Sequence, residues 1–446
     1  MKILHVVHRF PEQPSGGTER YVAAVAGALR EAGHDVRVAC GSFELGDPEV
    51  PVPTTRAGLP VYELRRNDVY FEAFGKSWHP QIGDGFRRLL GEFEPDVVHV
   101  HHWIGLTTDL VRIARGEGVP VVACTAHDHW AVLADPVRPI GLDVPEAPPP
   151  ARWMGETERE ETFAFHRADF LDELRAAHVR LAPSAAHAAS LAVLAGGDTG
   201  GFAITPPPLL ARPPRLRPKA QRGRRLLYWG SLYPAKGIEL LLDALASIGS
   251  GYELHICGTA PDPAYGELLR RRAAAFPVVF HGAFDVRRLA EMDADFAVIP
   301  AASHESYGLV LDEAQCLGLP VLAADIPAFR EHADPHGCAF FAPNDPGSLA
   351  VLLLDTEALA GLRSPAPAGR TADDAAADLL AAYADARAGR HAPYRGEPVV
   401  TPAERARFLF RQSERRLWSS LQHGGPEIPP EDYLLPPTDG AESEGA

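Results

Sequence analysis

Lysine is scarce in this chain of 446 residues: only Lys2, Lys76, Lys219 and Lys236 occur. Basic residues as a whole are outnumbered, 43 against 59 acidic, for a net charge of −16. That balance argues against nucleic acid as a partner, because phosphate backbones select basic faces. Cysteine is sparse too. Cys40, Cys124, Cys257, Cys316 and Cys338 are scattered, odd in number and without a C-x-x-C pair. Such usage fits free thiols in a reducing cytoplasm, and cytoplasmic location is the expectation. No apolar run approaches the ~20 residues that span a bilayer. The opening run MKILHVV is too short for a secretory signal and reads as a first strand. No G-x-G-x-x-G follows that strand, which counts against a nicotinamide dinucleotide.

The most informative stretch is Ile299–Asp325. The apolar run Phe296–Ile299, closed by Pro300, reads as a buried parallel strand. A loop, Ala301–Tyr307, carries Glu305. A helix is expected from about Gly308 to Leu317, stopped by Gly318 with Pro320 beyond. Val321–Ala324 is the next strand. Such units bind ligands at the carboxyl ends of their strands. The first helical N–H groups, around Tyr307–Val310, lack intrahelical partners and favour an anion such as a diphosphate. Gly308 permits close approach. Glu305 and Glu313, on either side, suit paired hydroxyls. A nucleotide sugar has that combination of parts.

This stretch resembles the E-x7-E signature of the retaining glycosyltransferases of family 4, which have the GT-B fold. The resemblance implies that Glu305 meets hydroxyls of the donor sugar and Glu313 meets the ribose. It also implies contacts from Ser306, Tyr307, Gly308, Leu309 and Val310 at the helix start.

A chain this long needs more than one core. In the first half, Ile3–Val7 and Val36–Ala39 read as strands around a helix over Glu19–Glu31, with Val22, Val25, Ala26 and Leu29 on one face. The preceding Gly16–Gly17 pair can turn backbone N–H groups toward a phosphate. It resembles the family's G-G-x-E loop. Residues 42–94 look less regular, and Asn67–Pro80 reads as a packed surface loop or an acceptor lining. Strands over Asp96–His102 and Val119–Thr125 are followed by histidines. His99, His101, His102, His127 and His129 invite a zinc reading. Strand alternation, however, puts His99 and His101 on one face and turns His102 away, and no metal is expected. The resemblance sets His127 over the donor sugar. The Pro-rich run Pro136–Arg152 reads as a long irregular loop that helps form an acceptor pocket. Residues 166–194 read as mostly helical, broken at Leu181–Ser184.

Thr205–Arg225, rich in proline and arginine, reads as an extended linker. The plan then repeats: strand Leu226–Trp229, loop, helix Ile238–Ile248, strand Tyr252–Cys257. The loop GSLYPAKG resembles the family's G-x-L-x-x-x-K-G, which gives Lys236 the role of neutralising the leaving diphosphate. A Walker-type loop is excluded, because Gly follows Lys236. Ser231 stands where the family usually has Arg, so one phosphate-binding charge is missing. Backbone near Ala283 and Phe284 is implied to meet the base. Helices are expected at 371–388 and 402–421. The second has Phe410, Leu417, Trp418 and Leu421 on one face; its rival reading is a helix lying on a membrane surface. Residues 422–446 read as a disordered tail.

The expected fold is α/β, a GT-B arrangement of two Rossmann-like domains whose parallel sheets face a cleft. Residues 1–205 form the acceptor side, 206–225 the linker and 226–370 the donor side. Helices in 371–421 cross back to the first domain. The expected activity is metal-independent, cofactor-free, retaining transfer of a sugar from a UDP- or GDP-sugar to an acceptor hydroxyl. His127, Lys236 and Glu305 are its catalytic candidates. Gly16, Gly17, Ser231, Ala283, Phe284, Ser306–Val310 and Glu313 are its substrate-binding candidates. A nucleotide-sugar epimerase and an inactive partner subunit are the alternatives.

Overall fold

The computed structural model describes all residues except 13–15, 69–76, 134–136, 141–155, 196–200, 220–221, 250, 368, 391–399, 402, 412–413 and 415–446. The first sheet is built from β1 (Lys2–Val7), β2 (Asp35–Leu45), β3 (Val52–Arg56), β4 (Leu59–Arg66), β5 (Val97–Val100) and β6 (Val121–Thr125). A short strand, β7 (Arg138–Pro139), stands apart, and β8 (Val179–Ala182) and β9 (Ala203–Ile204) complete the sheet. Its order is β3-β4-β2-β1-β5-β6-β8-β9, parallel throughout except for the β3–β4 hairpin. The second sheet holds β10 (Arg225–Trp229), β11 (Glu253–Cys257), β12 (Val278–Gly282) and β13 (Phe296–Ile299). After the two-residue β14 (Ser303–His304) come β15 (Val321–Ala324) and β16 (Cys338–Phe341). The order is β12-β11-β10-β13-β15-β16, all parallel.

Both sheets follow from the same chemistry. β5, β6, β13 and β15 are short apolar runs buried along their whole length, as expected for strands covered on both faces. In each sheet the winding reverses beside the first strand: between β1 and β5, and between β10 and β13. Loops diverge there and leave a crevice. The first crevice holds the Gly16–Gly17 loop. The second holds the loops after β10 and β13, which carry Lys236 and Glu305.

The helix Ala372–Arg387 crosses to the first sheet. Its Ala375, Leu379 and Tyr383 join the core formed with helix Gly17–Glu31. Thr371 and Asp374 cap its start reciprocally. The linker is bonded along its course: Leu209 N–H to Arg370 O at 2.9 Å, and Leu216 N–H to Leu317 O at 2.8 Å.

Several local expectations are corrected. Residues 42–94 are more regular than they read. β2 continues to Leu45, the β3–β4 hairpin follows, and a helix spans Pro80–Phe93. Gly41 hides the continuation of β2. A Cβ there would lie 2.6 Å from His8 O, so close strand contact excludes a side chain. Of the run Pro136–Arg152 only residues 137–140 are described, and they hold β7; the rest lies outside the described residues. A helix covers Glu156–Ala176, earlier than the helical reading from 166, and the break at Leu181–Ser184 holds the end of β8. That helix escapes the apolar period because its inward stripe includes His166, Asp169 and Glu173. Glu173 accepts hydrogen bonds from Trp103 Nε1 and from the N–H groups of Val111 and Arg112, and burial pushes its carboxyl up to about 8. Residues 403–411 are helical and pack on the same helix. The inward aromatic there is Phe408, stacked on Phe165 at 3.7 Å, while Phe410 is 65% exposed. Arg405 and Arg411 pair with Asp169 and Glu161. Leu417, Trp418, Leu421 and the tail lie outside the described residues. No helix of the described residues is long and apolar enough to cross a membrane.

Candidate active site

The two sheets meet through specific bonds. β7 pairs antiparallel with β14, Arg138 opposite His304. Ser184 Oγ donates to Ser306 O at 2.6 Å. Glu331 accepts the N–H groups of Ala185, at 3.0 Å, and Ala186 at the start of helix Ala185–Leu194. Between the sheets lies a cavity of about 270 Å³. Gly17, Thr18, Tyr21 and His127 line its first-sheet wall. Trp229, Lys236, Glu305 to Val310 and Phe329 line the other.

The second wall is built around helix Leu309–Leu317. Gly308 precedes it at φ +91°, and a Cβ there would strike the Phe329 ring at 2.2 Å. Only glycine fits that turn. The helix therefore starts against the cavity, with its positive end facing in. Below the turn, Tyr307 donates to Asp312 at 2.9 Å. His332 stacks on Tyr307 at 4.2 Å and bonds both its carbonyl and Asp312.

Lys236 ends a short 3₁₀ turn, Pro234–Lys236. Gly237 follows so close to Pro300 O that a Cβ would sit 1.8 Å from it. Ala302 N–H bonds Ala235 O at 3.0 Å, so the loops after β10 and β13 are joined. Across this junction Lys236 Nζ stands 2.5 Å from Glu305 Oε1. Burial disfavours the ammonium, but the charges of Glu305 and Tyr233 outweigh it and hold the lysine pKa above its ordinary range.

Glu313 is 9% exposed and accepts the Trp229 indole N–H at 2.7 Å. Burial pushes its carboxyl up to about 7, against the Trp229 bond and the charge of Arg20 from the opposite domain. It sits behind the cavity wall rather than on it. Ser231 is exposed on the loop after β10, its carbonyl bonded by Tyr228. Ala283 is exposed and Phe284 half-buried after β12. These loops form one ledge, joined by Leu232 N–H to Thr259 O and Gly258 N–H to Gly282 O.

On the first wall, Gly16 N–H is bonded by Glu19 at 2.9 Å. Burial raises the Glu19 carboxyl, but His8, 2.9 Å away, and Arg9 bring it down to about 2. Glu19 therefore anchors the glycine loop. The five histidines do not converge. His102 turns to Asp128 at 3.3 Å and His129 to Ser190 at 2.7 Å. His101 and His127 bond each other at 3.0 Å, and His99 bonds Thr125 and Tyr383, both at 2.7 Å. Nitrogens of His5, His99 and His101 lie within 4.8 Å of one another, close enough for one ion. Both His99 nitrogens and both His101 nitrogens are already hydrogen-bonded. Burial pushes His5 and His127 down to about 3, and His99 and His101 well below their ordinary value.

Sequence reasoning missed Trp229, Tyr21, Glu331 and His332. Trp229 had a signal: it ends β10 directly before Gly230, where strand residues reach a crevice. The others act through packing across elements. The assembled site offers a cation and a helix N-terminus for an anion. A carboxylate on the same wall and a neutral imidazole opposite can hydrogen-bond a polyol.

Residues 15–199 match the family model described as Glycosyltransferase Family 4, and residues 223–356 match Glycosyl transferases group 1. A D-inositol 3-phosphate glycosyltransferase of Geodermatophilus obscurus is 31% identical over 356 residues, 73% of this chain and 74% of that one. One from Jonesia denitrificans is 29% identical over 412 residues, 83% of this chain and 91% of that one. Among solved structures, Anabaena HepE in complex with UDP and glucose superposes with a TM-score of 0.54 at 18% identity, over 86% of this chain and 95% of that one. Twin parallel sheets, the cleft between them and these matches lead to one conclusion: the chain is a glycosyltransferase of family 4 with the GT-B fold.

Proposed function

We propose that the chain moves a sugar from a nucleotide diphosphate sugar to an acceptor hydroxyl, with retention and without a metal ion. One observation carries this reading. Lys236, Glu305 and the start of helix Leu309–Leu317 share one cavity wall, and His127 faces them from the other. The leaving diphosphate gains charge as the glycosidic bond breaks. Lys236 and the helix N-terminus stabilise that charge more in the transition state than in the ground state. Glu305 orients the sugar, and the carboxylate of Glu313, held beside Trp229 just behind the wall, accepts the ribose hydroxyls once the nucleotide is seated. The ledge of Ser231, Ala283 and Phe284 takes phosphate and base. The acceptor enters over the first sheet and attacks from the face that the diphosphate leaves. Five buried free cysteines fit work in the cytoplasm.

The names of the relatives and the UDP in HepE support the donor class. The relatives' names also make a phosphorylated polyol the first acceptor to try. Thermal shift against UDP, GDP and ADP identifies the base, because a bound ligand raises the melting point. Incubation with the matching nucleotide sugar and acceptor then yields a glycoside whose anomeric configuration equals that of the donor. An inverted product would overturn retention. A sugar that stays on the nucleotide would point to an epimerase, and no turnover with any donor to a partner subunit. Activity lost in chelator and restored by a divalent ion would overturn metal independence.

A further inference from the structure

His127 reaches the cavity as the last of three imidazoles in line. Its Nε2 lies 3.0 Å from His101 Nδ1, and His101 Nε2 lies 2.9 Å from His5 Nδ1. His5 and His101 are fully buried. Burial keeps all three rings neutral near pH 7. A neutral imidazole has one N–H and one bare nitrogen. Placing one proton therefore places the other two, and only two settings exist. In the first, His5 Nδ1–H donates to His101, His101 Nδ1–H donates to His127 Nε2, and His127 carries its own proton on Nδ1. In the second, every bond is reversed and His127 Nδ1 is bare.

The settings differ at the far end of the line. His5 Nε2 is buried without a partner. The first setting leaves a lone pair there, the second an N–H. Orphaned buried N–H groups are the rarer of the two in folded backbones, and the same cost applies to a ring N–H. The first setting is favoured. Tyr21 packs edge-on against both rings, its centroid 5.8 Å from that of His101 and 5.0 Å from that of His127. His99 supports His101 from the other side, with ring centroids 3.9 Å apart.

We propose that His5 and His101 are positioning residues that lock His127 in its Nδ1–H tautomer, so that it meets the substrate as a hydrogen-bond donor and not as a base. Among the described residues His127 Nδ1 has no protein partner, which leaves it for a sugar oxygen. The choice of sugar as its target rests on the function proposed above; the tautomer does not.

Long-range proton–nitrogen spectra of the full chain, labelled with ¹⁵N-histidine, read the tautomer directly. His127→Gln assigns the signal. The parent should show His127 protonated on Nδ1. In His101→Asn the side-chain amide replaces the lost N–H, and the tautomer should persist. In His101→Leu it should shift toward the Nε2–H form that free imidazole side chains favour in water. Turnover should fall about 10- to 100-fold in His101→Leu, by analogy with the loss when a partner that orients a metal-bound histidine is removed. The donor KM should stay near the parent value, and His101→Asn should recover most of the turnover. If His101→Leu does not fold, the parent and His5→Leu spectra decide, the latter showing a tautomer mixture. A parent protonated on Nε2, or a His101→Leu spectrum identical to the parent, would overturn the proposal. The expected tautomer in a chain that turns over no nucleotide sugar would support the relay and sink the sugar-transfer reading.

Discussion

Lys236 Nζ and Glu305 Oε1, 2.5 Å apart, join the loops of two neighbouring strands into one charge pair at the cavity wall. The pair keeps the lysine charged and close to where a diphosphate would arrive. Ser231, in the position of the family's arginine, adds no charge. Lys236→Ala should therefore lower kcat on the order of 10²–10³-fold, the usual cost of one lost electrostatic donor. Ser231→Ala should do less. Steady-state kinetics on both variants check this; near-parent turnover in Lys236→Ala would place the diphosphate elsewhere.

Glu313 gives a pH signature. Its carboxyl titrates at about 7 when the cleft is empty, because burial raises it. Ribose hydroxyls bond best to the ionised form, so binding draws the group toward ionisation and releases a proton. Nucleotide affinity should then weaken as pH falls through 7, approaching tenfold per pH unit below it. Calorimetry at pH 6, 7 and 8 measures it. Glu313→Gln should bind more weakly at pH 8 and show a flat profile; a sloping profile in that variant would assign the proton to another group.

Gly308 should not tolerate a side chain. Gly308→Ala puts a Cβ 2.2 Å from Phe329 on a backbone at φ +91°, at a cost of about 1–3 kcal/mol from backbone strain alone. Adding Phe329→Ala should relieve the clash but not the strain. Denaturant melts of both variants test the split: full recovery in the double variant would mean that strain contributes nothing.

Tyr383 ties the returning helix to the first sheet through His99. Tyr383→Phe leaves a buried imidazole nitrogen unpaired and should cost about 1–3 kcal/mol of stability. A melting point equal to the parent's would mean that the hydrogen bond contributes nothing net.

The parts of the site legible in sequence are those in which adjacent residues do the work. The strand–loop–helix unit carrying Glu305 and Glu313 is continuous, and its glycine stop and apolar runs give its ends to within a residue. Lys236 stood out through rarity. What stayed hidden depends on distant pairs. The helix Glu156–Ala176 turns Asp169 and Glu173 inward because Arg112 waits for them, and no periodicity announces a buried carboxylate. Phe408 faces inward rather than Phe410 because Phe165 receives it. Trp229 is marked only by its place before Gly230; its partner Glu313 lies 84 residues on and meets it only in the folded chain.

The bond from Glu331 to the start of helix Ala185–Leu194 gives the cleft a resting preference. The carboxylate belongs to one half of the molecule and the helix it completes belongs to the other. Ser184 also works on both sides: its oxygen receives the His187 N–H within the helix and donates to Ser306 across the gap. Spreading the halves apart thus undoes the first turn of a helix as well as a contact surface. A lost cap typically costs about 0.5–2 kcal/mol. That cost falls on opening alone, so it biases the empty cleft toward the arrangement in which these bonds are made.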